Sequence, residues 1–358
     1  MALEASYYSI RPEAKNNWRE LNLSKQGLHS LPEGLGERVE KEKVTDLDLS
    51  RNSLSSTSLP QLSLSLNLRK IDFSRNEFTE LPLEVCSIAS LRVLLLKCNK
   101  IKSLPQEMGS LLQLEELNLS GNEFKQFPSP LLSLSRLTFL HLGANRLQEV
   151  PAGINKLTEL SYLYLGGNRL QHVPPELGQL HKLEALVLSG NQLQYLPSQF
   201  KGLMSLKSLH LHDNQLQTLP QSIVRLKNLQ ELSLRNNPLV LRFIREYSGA
   251  IPSLLELSGR AVKHHAIPYT PEIIPETLCD FLSRARKCDN PSCSGVYFTL
   301  RSRRVTFVDF CGRYRVPLMQ YLCSEQCQGS DDVFNYSSSS EDEEDFVSAE
   351  RIKRVLLG

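Results

Sequence analysis

The sequence predicts an α/β solenoid, a stack of short coils each contributing one strand, with a small cysteine-bearing module after it. Three observations predict this. The segment L-x-L-x-x-N recurs with its Asn at Asn52, Asn76, Asn99, Asn122, Asn145, Asn168, Asn191, Asn214 and Asn237, spaced 24 residues once and then 23 residues seven times running. A Leu-Pro pair follows the turn, as at Leu104-Pro105, Leu196-Pro197 and Leu219-Pro220. Six of the eight cysteines crowd between Cys279 and Cys327.

Each coil follows from elementary constraints. The two leucines of L-x-L point inward from a short strand, and the Asn side chain satisfies backbone groups where the chain turns. The next leucine and the Leu-Pro pair fill the core and leave the strand on the convex side. One coil cannot bury its apolar face alone, so neighbours must stack. Leu21, Leu23 and Gln26 form a degenerate first turn, and Trp18 is expected to close its open end. The total is about ten coils. From residue 18 to 250 the pattern resembles the intracellular, Pro-containing leucine-rich repeats of the Ras-suppressor type. That resemblance implies a curved leucine-rich-repeat horseshoe acting as a binding scaffold, preceded by an N-terminal extension over residues 1–17.

Side chains between and after the inward leucines face out of the sheet. One column runs through Leu95, His141, Tyr164, Val187 and His210, and its neighbour through Val93, Phe139, Tyr162 and Ala185. Both columns are polar at their ends and apolar or aromatic in the middle, with His212 two residues past His210. Large exposed aromatics rimmed by polar groups are the composition of a protein-binding surface. Leu95, Phe139, His141, Tyr162, Tyr164, Val187, His210 and His212 are therefore the expected target-binding residues. No acid or cysteine flanks the histidines in a triad-like order, and no nucleophile–base or carboxylate pair suggests an enzyme.

After the repeats a capping helix is expected over Leu241 to Tyr247. In 251–286 two apolar-faced segments follow. Leu254, Ser258 and Val262 are spaced i, i+4, i+8 with Leu257 alongside, and Ile274-Pro275-x-x-Leu278 leads to Leu282. P-S-L-x-x-L-S-x-R-A-V at 252–262 resembles the elongin-C-binding box of cullin-RING substrate receptors, with Ser258 where Cys is usual. Ile274, Pro275, Leu278 and Leu282 resemble a cullin box. The cullin-5 form carries a further Leu-Pro pair upstream, absent at Glu272-Ile273, which tilts the choice between cullin-2 and cullin-5 toward cullin-2. The resemblance extends from Pro252 to Cys327 and implies docking to elongin B/C and a cullin. An amphipathic helix that merely caps the solenoid is the competing reading of the same residues.

Cys288-x4-Cys293 and Cys323-x3-Cys327 are two short-turn pairs, the pattern of a tetrahedral structural zinc, in a module spanning 287–328. Cys311 is a possible replacement ligand, and Cys279 is expected in the core. The stretch between the pairs alternates β-branched and aromatic residues with polar ones, which predicts a hairpin or small sheet. Five cysteines and no histidine from Cys288 onward are too few for the eight ligands of a RING domain. Residues 329–358, with the run SSSSEDEED, are expected to be an acidic disordered tail.

Bulk properties narrow the function. A net charge of +2 supplies no field for nucleic acid. No apolar run reaches the roughly 20 residues of a membrane span, and the first residues lack the pattern of a signal peptide. Clustered cysteines without such a leader fit a reducing compartment, cytoplasm or nucleus. The expectation is a non-catalytic substrate receptor of a cullin-RING ubiquitin ligase that binds an unidentified protein. The alternative is an intracellular signalling scaffold, for example a small-GTPase regulator.

Overall fold

An apolar residue flanked by two outward-facing ones makes the strand of every coil. In a computed structural model, the residues described are 19–56, 67–240, 245–246, 252–290, 293–299, 301–310, 314–324, 327 and 354–356. Trp18, Cys311 and residues 329–353 lie outside them. The chain divides into two units, Met1–Arg146 and Leu147–Gly358.

In the first unit, β1 (Glu20–Asn22), β2 (Asp46–Asp48), β3 (Lys70–Asp72), β4 (Val93–Leu95), β5 (Glu116–Asn118) and β6 (Phe139–His141) pair in parallel. The register aligns Leu21, Leu47, Ile71, Leu94, Leu117 and Leu140, and all six are buried. The far side of the coils carries α1 (Leu35–Lys41), α2 (Leu83–Cys86) and 3-10 turns at Gln106–Ser110 and Ser129–Ser133. The last three each open directly after a proline in extended conformation: Pro82, Pro105 and Pro128. Proline lacks the N–H that a helical start leaves unbonded and restricts the residue before it to extended backbone, so the Leu-Pro pair ends one segment and starts the next.

The second unit repeats this plan. Strands β7 (Tyr162–Tyr164), β8 (Ala185–Val187), β9 (Ser208–His210) and β11 (Glu231–Ser233) pair in parallel, with 3-10 turns at Ala152–Lys156, Pro175–Gln179, Ser198–Gly202 and Gln221–Arg225. Between β9 and β11, the short β10 (Leu219–Pro220) begins a second sheet of order β10-β16-β15-β12. Its body is the hairpin of β15 (Ser302–Phe310) and β16 (Tyr314–Leu322), where alternation predicted one. Leu318 of β16 pairs with Leu219, which fastens the hairpin to the last repeats.

Two departures come from backbone pairing. Within the expected helix at Leu241–Tyr247, the two described residues form β12 (Arg245–Glu246), whose backbone pairs antiparallel with Arg304 and Arg303 at the edge of β15. The segment RIKRVLLG supplies β17 (Arg354–Leu356), parallel to β11 in the register Glu231 to Arg354. The remaining elements are α3 (Leu254–His264), α4 (Glu276–Ser283) and the small ribbon of β13 (Arg286–Lys287) with β14 (Val296–Tyr297).

The recurring asparagine does what the turn requires. Asn122 donates from Nδ2 to the carbonyls of Leu96 (2.9 Å) and Leu119 (3.0 Å), and its Oδ1 accepts from the Ile101 N–H at 3.0 Å. Asn191 repeats the pattern with Leu165, Leu188 and Leu170. Both side chains are buried. Each Asn therefore ties its own turn to the preceding coil, satisfying backbone groups that would otherwise be buried without partners.

Candidate docking helix and four-cysteine centre

On the outward face of the first unit, Leu95, Phe139 and His141 are half-buried. Beside them Asp46, Val93, Glu116 and Asn118 are buried, because strands about 4.8 Å apart leave little room between neighbouring side chains. In the second unit Tyr162, Tyr164, Val187 and His212 are half-buried on the same kind of face. The Tyr162 hydroxyl lies 3.4 Å from Glu184 Oε2, which also accepts from Lys207 Nζ at 2.8 Å. Burial, with the Glu184 charge, pushes the Tyr162 pKa up. Burial pulls that of His212 down against the opposing pull of Asp213.

His210 corrects the sequence reading, being buried at 5% exposure instead of standing at the centre of an open surface. Its Nε2 lies 2.8 Å from Ser208 Oγ and 3.4 Å from Glu231 Oε2, so the ring is drawn down among its polar neighbours.

The four cysteines meet. The sulfurs of Cys288, Cys293, Cys323 and Cys327 all lie within 4.8 Å of one another, the only such group of metal-binding side chains among the described residues. Cys288 and Cys327 are 3.5 Å apart, and Cys293 and Cys323 are 3.7 Å apart. Tetrahedral zinc with bonds of about 2.3 Å would hold its thiolates roughly 3.8 Å apart.

The surroundings also suit thiolates. The Gly295 N–H points at Cys293 Sγ (3.3 Å), the Cys323 N–H at Cys288 Sγ (3.4 Å), and Asn290 Nδ2 at Cys327 Sγ (3.3 Å). Burial pushes the Cys288 thiol up, and that of Cys323 to about 11. At Cys293 burial acts the same way, but the Gly295 N–H and the neighbouring thiols outweigh it and lower the pKa. A cation is what would release all four protons. Gly295 is required by space: a Cβ there would stand 2.7 Å from Cys323 Sγ and 3.1 Å from Cys293 Sγ.

Helix α3 is amphipathic, but it turns its apolar face outward. Ser253 caps it, its Oγ accepting from the Glu256 N–H at 3.1 Å. Leu254 is 83% exposed, Leu255 and Leu257 are each 48% exposed, Ser258 is exposed and Val262 is half-buried. The Ser258 hydroxyl donates back to the Leu254 carbonyl at 2.8 Å, so the residue is small and already hydrogen-bonded.

The inward face of α3 carries Glu256 and Gly259, both buried. Glu256 Oε1 accepts from the Phe298 N–H (2.9 Å) and from Arg260 Nη2 (2.7 Å) and Nε (3.0 Å). Its Oε2 accepts from the Thr299 N–H (3.1 Å) and hydroxyl (2.9 Å). Burial opposes this carboxylate, but the donors outweigh it and hold its pKa at about 2. Arg260 Nη1 also donates to the Cys323 carbonyl at 2.6 Å.

Ile274 and Pro275 precede α4, half-buried and exposed respectively, and Leu278 within it is half-buried. Leu282 departs from the expected cullin-facing set: at 5% exposure it is a core residue, turned inward on the side where Phe281 stacks on Phe298. Cys279, expected in the core, is only partly buried.

A family model described as "Leucine-rich repeat region" matches residues 51–166 and 153–258, more than half of the chain. The chain belongs to the leucine-rich-repeat family. It is similar to "Leucine-rich repeat-containing protein 58" of Xenopus laevis, 50% identical over 121 residues, covering 34% of this chain and 35% of that one. The protein of the same name from Homo sapiens is 51% identical over 89 residues, covering 25% of this chain and 24% of its own. The chain thus spans about a third or less of the length of these relatives. A solved leucine-rich-repeat protein of Leptospira interrogans is 34% identical with a TM-score of 0.59, covering 63% of this chain and 57% of its own. The Arabidopsis receptor kinase HAESA, solved with a peptide hormone and a co-receptor, is 26% identical with a TM-score of 0.53 over 63% of this chain and 39% of its own.

The residues that sequence reading missed stand after the last repeat strand, Glu231–Ser233. Glu256 reaches partners 42 and 43 positions on, and Arg260 one 63 positions on. The S-x-x-E capping pattern at Ser253–Glu256 was a local signal, but here the glutamate side chain serves the Phe298–Thr299 segment that follows β14.

Proposed function

We propose that this leucine-rich-repeat protein is the substrate-recognition subunit of a cullin-RING ubiquitin ligase. It binds a target protein on the outward sheet face of its repeats and docks elongin B/C through residues 252–282. The observation that carries this reading is the inversion of α3. A helix serving only as a cap would bury Leu254, Leu257 and Val262 and wet its polar face. Here Leu254 is 83% exposed and Glu256 is 2% exposed. An exposed ridge of Leu254, Leu257 and Ser258, continued by the half-buried Val262, on a helix anchored by its polar side is the form that helix-in-groove recognition uses.

Ile274, Pro275 and Leu278 extend this surface toward a cullin, cullin-2 ahead of cullin-5, with Leu282 as the anchor beneath. Leu95, Phe139, His141, Tyr162, Tyr164, Val187 and His212 contribute to target binding. The four cysteines hold a structural zinc with no open coordination position. The chain catalyses nothing; it raises the effective concentration of a target lysine near a conjugating enzyme brought by its partners. The setting is the cytoplasm or nucleus, with neither nucleic acid nor membrane as partner.

The test is co-purification of full-length protein with elongin B/C. The wild type is expected to retain elongin B/C and Leu254→Asp to lose it. Because Leu254 touches little of its own chain, the variant should keep its thermal transition. Equal recovery of elongin C by both proteins would refute the docking.

A further inference from the structure

The docking ridge of α3 is held in place by contacts that lead to the cysteine centre. Three consecutive footholds do this. Glu256 is closed round by donors from the Phe298–Thr299 backbone, the Thr299 hydroxyl and Arg260. Gly259 lies so close to the Phe281 and Phe298 rings that a Cβ would stand 2.8 and 2.9 Å from them. Arg260 spans the gap, binding Glu256 with Nη2 and Nε and the carbonyl of Cys323 with Nη1 at 2.6 Å. Cys323 is one of the four clustered thiols, and its own N–H points at the sulfur of another, Cys288.

We propose that occupancy of the four-cysteine site by a divalent zinc-class cation sets the order and orientation of α3, with Glu256 and Arg260 as positioning residues, so that the docking surface is presented only by metal-loaded protein. The functional half of this inference rests on the docking reading above.

The physical reason lies in the stiffness of each link. A carbonyl in the peptide next to a coordinating sulfur is fixed when that sulfur is bound to metal, and Arg260 receives a fixed acceptor. Without the cation, no bond joins the four sulfurs, whose pairs then stand 3.5 and 3.7 Å apart with nothing to fix them. The Cys323 carbonyl then loses its defined position. Arg260 loses that fixed acceptor, and the remaining hold on α3, Glu256 on Phe298–Thr299 and Gly259 against two rings, is on a segment three residues past Gly295, whose N–H points at Cys293 Sγ. The exposed face of α3 contributes nothing to its own anchoring, since Leu254 and Leu257 face solvent. The anchors of the helix through Glu256 and Arg260 reach the cysteine-bearing module, while Lys263 Nζ donates to the Tyr269 hydroxyl at 2.6 Å near the helix C-terminus.

The experiment uses the full-length chain under reducing conditions, zinc-loaded, stripped with the chelator TPEN, and reloaded with zinc. Amide hydrogen exchange of residues 254–264 and 302–322 is followed in each state, with elongin B/C affinity measured in parallel. Stripping is expected to speed exchange in α3 by about tenfold or more, the loss of one charge-assisted hydrogen bond, and zinc to reverse it. Arg260→Gln is expected to keep its zinc and the protection of β15 and β16 yet show the same loss in α3, which separates the coupling from unfolding of the module. Elongin B/C affinity is expected to fall in both cases. Unchanged exchange of α3 in stripped protein, or in Arg260→Gln, would overturn the proposal. Failure of zinc-loaded wild type to bind elongin B/C, with the exchange results as expected, would instead overturn the docking reading and leave the metal-to-helix coupling standing.

Discussion

Replacing Glu256 by glutamine tests the anchoring of α3 directly. The carboxylate is an acceptor facing donors only, and the amide of Glu256→Gln puts an NH2 donor where one of its oxygens met other donors. Two routes give the size of the effect. Removing one partner of a buried charged pair costs about 3–5 kcal/mol. Independently, a pKa lowered from 4.5 to about 2 corresponds to about 3 kcal/mol. Glu256 is 2% exposed, so solvent screening takes little from either figure. On the order of 3 kcal/mol is a change of roughly a hundredfold in the local opening equilibrium. Hydrogen exchange with mass spectrometry at pH 7 reads this as faster exchange of peptides covering 254–264 and 296–299, with the repeats before residue 219 unaffected. The same residue gives a pH signature. Its folded pKa lies below the unfolded one, so its contribution is complete above about pH 4.5 and fades as pH falls toward about 2. The wild type should lose this protection across that window and Glu256→Gln should not. Less than about a threefold change at pH 7 would refute the reasoning, since even one lost hydrogen bond of about 1 kcal/mol exceeds that.

Two further outcomes concern the repeats and the cysteines. Asn122→Ala removes three hydrogen bonds, leaving the Ile101 N–H without its acceptor and the Leu96 and Leu119 carbonyls with only Asn99 and Asn145 respectively; the expected loss of about 2–4 kcal/mol lowers Tm by about 4–16 °C in calorimetry, and a shift under about 2 °C would contradict it. Gly295→Ala drives a Cβ to 2.7 Å from Cys323 Sγ; zinc content by elemental analysis should fall well below that of wild type while the repeats keep their thermal transition, and full zinc retention would count against the four-sulfur centre.

The repeats were legible because their physics is local and periodic. A leucine and an asparagine at fixed offsets dictate strand, turn and inter-coil hydrogen bonds, and the bonds of Asn122 in the first unit and of Asn191 in the second follow the spacing that predicted them. The cysteine pairs were legible for a similar reason, as short spacings confine each pair to one turn. What the sequence hid depends on non-periodic contacts. Nothing beside Glu256 indicates that its carboxylate closes on Thr299, and nothing beside Gly295 reports the sulfur of Cys323. His210 occupies an outward-facing register position like Tyr164, yet a serine two residues away and a glutamate on the next strand draw it into cover. Leu282 matched the last point of a four-residue pattern with Ile274, Pro275 and Leu278, but its helix turns that point inward. The strand at Arg245–Glu246 was hidden because edge pairing is made by backbone groups and leaves little trace in side-chain composition.

The strand at Arg354–Leu356 bears on what covers the end of the second unit's parallel sheet. A sheet built from parallel coils ends in a row of open N–H and C=O groups, and such a row templates the addition of foreign strands. Here the chain's own late segment lies along Glu231–Ser233 and takes that place. Proteolytic clipping within the preceding acidic stretch would release it and bare the margin of the last coil. Self-association of a tail-clipped preparation, with the intact chain remaining monodisperse, would be the visible consequence.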